Sequence, residues 1–227
     1  MALTPQPHVL IVGASRGIGL ELARQYLADG ALVTATARDD AGAQRLRELG
    51  ARVIKLDVTS APSVAGLAWQ LDGSHFSTVI VNAGVYGPKL RTLDAPTDTD
   101  FDQVMHTNVL GPMRVVPQLL DLLAPQARLA VMSSRMGSIG SRTANSGWLY
   151  RASKAALNSV LKDLSLALTD RAVCVALHPG WVRTDMGGPE ADLPVETSAR
   201  MLRGTLAGLT PADNGRFFDH DGTPIPW

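Results

Sequence analysis

Hydrophobic residues fall along this chain in short solid runs, separated by stretches in which they recur at helical spacing. Val9-Leu10-Ile11-Val12 is the first run, aliphatic on both faces and ended by Gly13, as expected of a strand buried on both sides of a sheet. Leu20, Leu22, Ala23, Tyr26 and Leu27 then follow a helical period until Asp29-Gly30 stops it. Further strands are expected at Ala31–Ala37, Arg52–Leu56, Thr78–Val81, Arg128–Met132 and Val173–Leu177, with a short last one at Arg216–Asp219. Helices are expected at Asp40–Leu49, stopped by Gly50, from Pro62 to about Leu71, and at Asp100–Leu123, Tyr150–Leu168 and Val195–Leu206. Gly111-Pro112 and Pro117 interrupt the Asp100–Leu123 helix and should bend or break it. Gly137–Gly147 and His178–Pro194 read as loops.

Apolar strands alternating with helices predict an α/β fold, with a parallel sheet covered on both faces. Right-handed crossovers make such a sheet doubly wound. The 227 residues show no repeat, low-complexity tract or linker, so one domain over residues 1–227 is expected.

Composition narrows the function classes. Lys+Arg and Asp+Glu both count 21, so no basic field is offered to nucleic acid or an anionic membrane. The sole cysteine, Cys174, lies in an apolar run and reads as a buried, inert thiol. Met1–His8 lacks the basic start and apolar core of a leader, so a cytoplasmic protein is expected. The five histidines and one cysteine show no metal-ligand spacing, and no metal is expected.

Two stretches carry candidate chemistry. Between the first strand and helix lie Gly13, Ser15, Arg16, Gly17, Ile18 and Gly19, in a G-x-x-x-G-x-G spacing. A glycine-rich loop feeding a helix N-terminus suits a dinucleotide pyrophosphate, because backbone N–H groups and the dipole end face the anion. A tight connector without a ligand is the alternative. Where the second strand ends, an acidic residue would hold a ribose diol; this chain has Ala37-Arg38 instead. Arg38, with Arg16, could pair with a 2′-phosphate, which favours NADP(H) over NAD(H). Asp39 and Asp40 could partly neutralise Arg38. The second stretch is Tyr150-Arg151-Ala152-Ser153-Lys154. Tyr150 and Lys154 share a helix face, and an ammonium beside a phenol favours phenolate, lowering the tyrosine pKa for proton transfer. A chance Tyr and Lys on an amphipathic helix is the alternative.

Taken together, these stretches resemble the short-chain dehydrogenase/reductase family, over nearly the whole chain. The glycine loop, Asp57-Val58, Asn82-Ala83-Gly84, Thr107-Asn108-Val109, Ser133-Ser134 and Pro179-Gly180-Trp181-Val182-Arg183-Thr184 match family motifs in order. Ser133–Ile139, Tyr150–Asn158 and the Gly215–Trp227 ending look most like the sniffer-type carbonyl reductase and C-factor subgroup. The resemblance implies a Rossmann-type domain performing reversible hydride transfer between a nicotinamide and a carbonyl or alcohol carbon. It implies Tyr150 as proton donor and acceptor, Lys154 lowering its pKa and holding the nicotinamide ribose, and Ser134 bonding the substrate oxygen. Asn108 would hold a water that links Lys154 to solvent. Asp57 and Val58 would contact adenine, Asn82, Ala83 and Gly84 would lie beside the cofactor, and Pro179, Gly180, Val182 and Thr184 would hold the nicotinamide. A homodimer or homotetramer is implied, with a dimer through the two long helices. The C-factor likeness also admits a signalling protein in which catalysis is secondary.

The chain departs from the family pattern in three places. Val12 stands where a threonine hydroxyl usually bonds near the Asn-Ala-Gly turn, and Val81 where a second asparagine is common. Ser134 lies 16 residues before Tyr150, longer than usual, and Ser138 would suit the common spacing better. The strand-end position favours Ser134, because a strand terminus is a fixed platform while loop insertions are tolerated. His178 and His106 read as structural and surface residues. Tyr86, Trp148, Trp181 and Met186 are candidates for an apolar substrate wall. The short segment from Thr184 to Val195 suggests an open pocket tolerant of varied substrates.

Overall fold

The computed structural model describes residues 6–89 and 93–227. Residues 1–5, on which part of the leader expectation rests, lie outside that span. Seven strands form one parallel sheet: β1 (His8–Val12), β2 (Leu32–Ala37), β3 (Arg52–Lys55), β4 (Phe76–Val81), β5 (Leu123–Met132), β6 (Ala172–His178) and β7 (Arg216–Asp219). Their spatial order is β3-β2-β1-β4-β5-β6-β7. The chain therefore winds outward from β1 in one direction, returns, and winds outward in the other. The carboxyl ends of β1 and β4 meet where the direction reverses, and a crevice opens there in folds of this kind.

Alternation along β1 divides the core. Leu10 and Val12 point to one face, where Val115, Val116, Leu119, Leu157 and Leu161 cover them. Val9 and Ile11 point to the other, against Leu22, Ala23, Ala43, Leu46, Ala199, Leu202 and Leu206. The covering helices are α1 (Gly17–Ala28), α2 (Asp40–Glu48), α3 (Ala61–Ala65), α4 (Leu67–Gln70), α5 (Asp98–Met105), α6 (Gly111–Val115), α7 (Trp148–Ala167) and α8 (Val195–Gly208).

Three elements differ from the sequence pattern, each for a local reason. The helix expected from Pro62 to Leu71 breaks at Gly66 into α3 and α4, where glycine is the weakest helix former available. The Asp100–Leu123 helix becomes α5, a π turn at His106–Leu110, α6, and a 3₁₀ stretch at Val116–Leu122. Pro112 and Pro117, which lack an N–H, lie in the last two of these segments. Strand β5 begins at Leu123, earlier than the expected Arg128. Its pairing with β4 slips between Phe76 and Thr78, and Gln126 takes a positive φ of 59° there. Pro125 and this irregularity hide the strand's first half from a periodicity reading.

Candidate active site

The crevice between β1 and β4 is built by backbone closeness. Gly13 follows β1 with φ 84°, and a Cβ there would lie 2.7 Å from the Ala83 backbone. Only glycine lets the two turns meet. Val12 needs no hydroxyl, because its carbonyl accepts from both Asn82 N and Ala83 N at 2.9 Å. Asn82 Nδ2 donates to the Gly13 carbonyl at 2.6 Å, and Gly13 N donates to Thr36 Oγ1 at 2.9 Å. Thr36 on β2 and Asn82 just beyond β4 thus hold the turn after β1 in place. Asp39, Ser60 and Thr97 cap α2, α3 and α5; no side chain caps α1, and the same is true of α4, α6, α7 and α8. The first-turn N–H groups of α1 are left for an anion.

The acids beside Arg38 are already engaged. Asp39 Oδ1 accepts from Gly42 N at 2.7 Å, and Asp40 pairs with Lys55 at 2.9 Å. Among the described residues Arg38 forms no ion pair within 4.0 Å, so its charge is left for a ligand. Asp57 Oδ1 accepts from the amide and hydroxyl of Thr59, which hold its carboxyl below the usual range. Val58 is buried, its side chain against the Gly111 position of the α5–α6 bend. The uncapped helix, the glycine approaches and the unpaired Arg38 fit a dinucleotide phosphate.

The second half of the site lies at the carboxyl ends of β5 and β6, closed by α7. Lys154 is 3% exposed and Tyr150 8%. Lys154 Nζ donates to the Met132 carbonyl at 2.7 Å and lies 5.7 Å from the centroid of the Tyr150 ring. The Ser134 hydroxyl oxygen accepts from Met136 N at 3.2 Å, and the hydroxyl lies close enough to the Tyr150 phenol to pull its pKa down. Burial raises the Tyr150 phenol to about 12, against that pull, with Tyr86 adding to the rise. Burial lowers the Lys154 ammonium to about 8. The expected lowering of Tyr150 by Lys154 is therefore reversed: both groups lose water, and the lysine is held on a carbonyl rather than on the phenol. Gly137 brings the turn after Ser134 hard against α7, since a Cβ there would meet the Lys154 backbone at 2.8 Å.

Asn108 sits in the π turn, fully buried. Its Nδ2 donates to the Val85 carbonyl and Ser153 Oγ, and its Oδ1 accepts from Val85 N. Both of its amide hydrogens are spent, so the side chain braces the Asn82–Val85 turn against α7 and has no donor left for a water. Gly84 fits between Asn108 Oδ1 and Lys154 Nζ, each 3.3 Å from where its Cβ would stand.

Ser138 is engaged elsewhere. Its hydroxyl donates to the Pro226 carbonyl and accepts from Ser141 N, and Gly140 N donates to the Trp227 carbonyl. The long loop before Tyr150 is thus pinned to the chain's last residues, and Trp227 stacks on Phe217. On the other side, Pro179 accepts from Ser198 Oγ, Gly180 takes φ 84°, and Val182 bridges to Leu193. Thr184 stands against Gly17, its Cγ2 3.3 Å from where a Cβ would be. Ser15, on the loop facing it, gives its carbonyl to Arg45.

Trp148, Trp181 and Met186 are exposed. Tyr86 stacks on Tyr150 itself, a contact that sequence spacing could not reveal. His106 is exposed. His178 is lowered by burial to about 4 and lies near Asp219, Arg135 and His220. Cys174 is buried, its thiol pushed up to about 12. Among the described residues no group of three or more His, Cys, Asp or Glu could hold a metal. No described helix is long and apolar enough to cross a membrane.

Comparison with known proteins agrees with this geometry. Residues 7–192 match the short chain dehydrogenase family model. The C-signal protein of Myxococcus xanthus is 44% identical over 155 residues, covering 66% of this chain and 91% of that protein. The carbonyl reductase Sniffer of D. melanogaster superposes with a TM-score of 0.90 at 32% identity, covering 98% of this chain and 100% of that one. A carbonyl reductase from Pseudomonas aeruginosa PAO1 in complex with NADP does so with a TM-score of 0.86 at 35% identity and the same coverage. The family model matched over residues 7–192 and the superposition over 98% of the chain agree: the protein belongs to the short-chain dehydrogenase/reductase family of NAD(P)-dependent oxidoreductases.

Proposed function

We propose that the protein is an NADPH-dependent reductase of carbonyl compounds, reversible toward secondary alcohols, with Tyr150 as its proton donor. The observation that carries this reading is the buried pair of Tyr150 and Lys154, one helical turn apart, with Lys154 Nζ 5.7 Å from the Tyr150 ring centroid and Ser134 beside the phenol. A bound nicotinamide supplies or accepts the hydride. The chain's own residues handle the oxygen. Ser134 and Tyr150 present two hydroxyls to one point, so a carbonyl oxygen there receives two hydrogen bonds that strengthen as negative charge develops. Tyr150 then gives up its proton. Lys154, held by Met132, stands behind it as a positive charge and faces the ribose position. Asn108 keeps that arrangement rigid, and its main chain in the wide π turn is the place for a water leading from Lys154 to solvent.

The cofactor end supports NADP(H) over NAD(H). Ala37 offers nothing to a ribose diol, while Arg38 is unpaired and the acids beside it are engaged. The NADP in the Pseudomonas carbonyl reductase complex is consistent with this. Gly13, Ser15, Gly17, Ile18 and Gly19 would cradle the pyrophosphate, with Asn82, Ala83 and Gly84 beside it, and Arg16 would join Arg38 at the 2′-phosphate. Asp57 and Val58 would border the adenine, and Pro179, Gly180, Val182 and Thr184 the nicotinamide. The exposed Trp148, Trp181 and Met186 suit an apolar ketone, aldehyde or quinone. A dimer through α5 and α7 would cover the exposed Ala152 and Leu166; sedimentation showing only monomer at micromolar concentration would reject it.

NADPH oxidation over a panel of aldehydes, quinones and ketones tests the reading. Tyr150→Phe should lower turnover by about 10²–10⁴-fold while NADPH still binds. The likeness to C-signal favours a second reading, a nucleotide-binding signalling protein. Tight NADPH binding without turnover of any carbonyl by the unaltered protein would select it.

A further inference from the structure

Arg16 and Asp185 form an ion pair across the cofactor crevice, Nη1 to Oδ2 at 2.9 Å. They come from opposite walls. Arg16 belongs to the glycine loop and is the residue on which α1 begins. Asp185 follows Thr184 on the loop beyond β6, 169 residues later. The walls are close at this point, because Thr184 packs on Gly17. Both side chains are largely exposed, 70% and 76%, so the pair lies at the mouth of the crevice. Among the described residues neither forms a second ion pair.

We propose that Asp185 is a cofactor-specificity residue, occupying Arg16 in place of a nucleotide phosphate and releasing it when a 2′-phosphate arrives. The inference rests on the NADP(H) reading above. An exposed carboxylate–guanidinium pair is weak. A phosphate dianion offers the same guanidinium more charge and a forked geometry, so it wins the exchange. Until it does, the pair acts as a competitor within the chain. Only the fraction of molecules with Arg16 free binds at full strength, and the apparent affinity falls by that fraction. The carboxylate also repels an incoming phosphate. Arg38 forms no ion pair within 4.0 Å among the described residues, only a longer-range attraction to Asp57, and carries no such tax. The two arginines thus differ: Arg38 is always ready, and Arg16 must be freed. A ligand without the 2′-phosphate gains little from freeing it.

Titration calorimetry on the full chain tests this, with NADPH, NADH, 2′,5′-ADP and 5′-AMP as probes. Asp185→Asn should tighten NADPH and 2′,5′-ADP about two- to fivefold, the span an exposed ion pair allows. NADH and 5′-AMP should stay within error. In an Arg16→Gln background the same Asp185→Asn change should have no effect on any probe, which assigns the gain to the pair. Equal tightening of NADH and NADPH, or no change in either, overturns the proposal while the NADP(H) reading stands. Unaltered protein that binds NADH as tightly as NADPH overturns both. Thermal midpoints of the variants without nucleotide check that each is folded.

Discussion

The phenol rings of Tyr86 and Tyr150 lie stacked, with centroids 4.7 Å apart and planes 29° from parallel. Tyr86 thereby shuts water from one side of the proposed acid and contributes to its raised pKa. Tyr86→Ala should let water in and bring the Tyr150 phenol down from about 12 toward its ordinary 10. The chain has only 3 tyrosines, so an ultraviolet tyrosinate titration can assign the change. Tyr86→Ala compared with Tyr86→Ala/Tyr150→Phe isolates Tyr150. A Tyr150 titration unmoved by the substitution would mean that the ring stack does not set its pKa.

The buried Lys154 makes stability depend on alkaline pH, with a sign that can be worked out. Its folded pKa is about 8, lowered by burial from 10.5. Between these values the unfolded chain binds the extra proton, so raising the pH through this window stabilises the fold. The gain from Lys154 alone between pH 7 and pH 10 is on the order of 2 kcal/mol. Above pH 10 the raised Tyr150 acts in the opposite sense, because the unfolded phenol ionises first. Cys174 acts in that sense from about pH 9, its buried thiol being raised to about 12, so urea midpoints should rise toward about pH 9 and then fall, and Lys154→Met should flatten the rise.

At acid pH the governing group is His178. Burial holds its folded pKa near 4 against an ordinary 6.5, despite the nearby Asp219. Below pH 6.5 the unfolded histidine takes up a proton that the folded one refuses, so stability falls as pH falls. By pH 5 the loss is on the order of 2 kcal/mol. His8, also lowered by burial, acts in the same direction. Urea midpoints measured from pH 7 to pH 5 should drop, and His178→Gln should remove most of the slope.

The sequence made legible what is local. β1, the glycine loop and α1 follow from one apolar run, three glycines and one helical period, and the structure keeps their boundaries. Most motif residues also gather at one sheet edge, because they follow a strand or lie in the first turns of a helix; Asn108, in the π turn, is the exception. What escaped are contacts between distant residues. Nothing in Thr107-Asn108-Val109 announces a π turn, since the groups that hold Asn108 are Val85 and Ser153. Arg16 was read only against a phosphate, because Asp185 is brought to it by the fold. The pKa of Tyr150 escapes for the same reason: spacing shows the lysine, but not the burial that outweighs it.

Ser134 and Ser138 present the sharpest test, because sequence spacing and strand position point to different residues. In the structure Ser134 lies beside the Tyr150 phenol and acts on its pKa, while Ser138 ties the inserted loop to Pro226 and Ser141. If Ser134 helps hold the substrate oxygen, Ser134→Ala removes a bond that strengthens in the transition state. Turnover should fall about 10²–10³-fold with little change in unfolding. Ser138→Ala leaves the Pro226 carbonyl and Ser141 amide without their partner and should cost about 1 kcal/mol of stability. Its turnover should stay near that of the unaltered protein, since the loop's second tie, Gly140 N to the Trp227 carbonyl, remains. Measuring kcat and a urea midpoint for both variants separates the roles. Loss of turnover in Ser138→Ala, with Ser134→Ala active, would return the assignment to the residue at the commoner spacing.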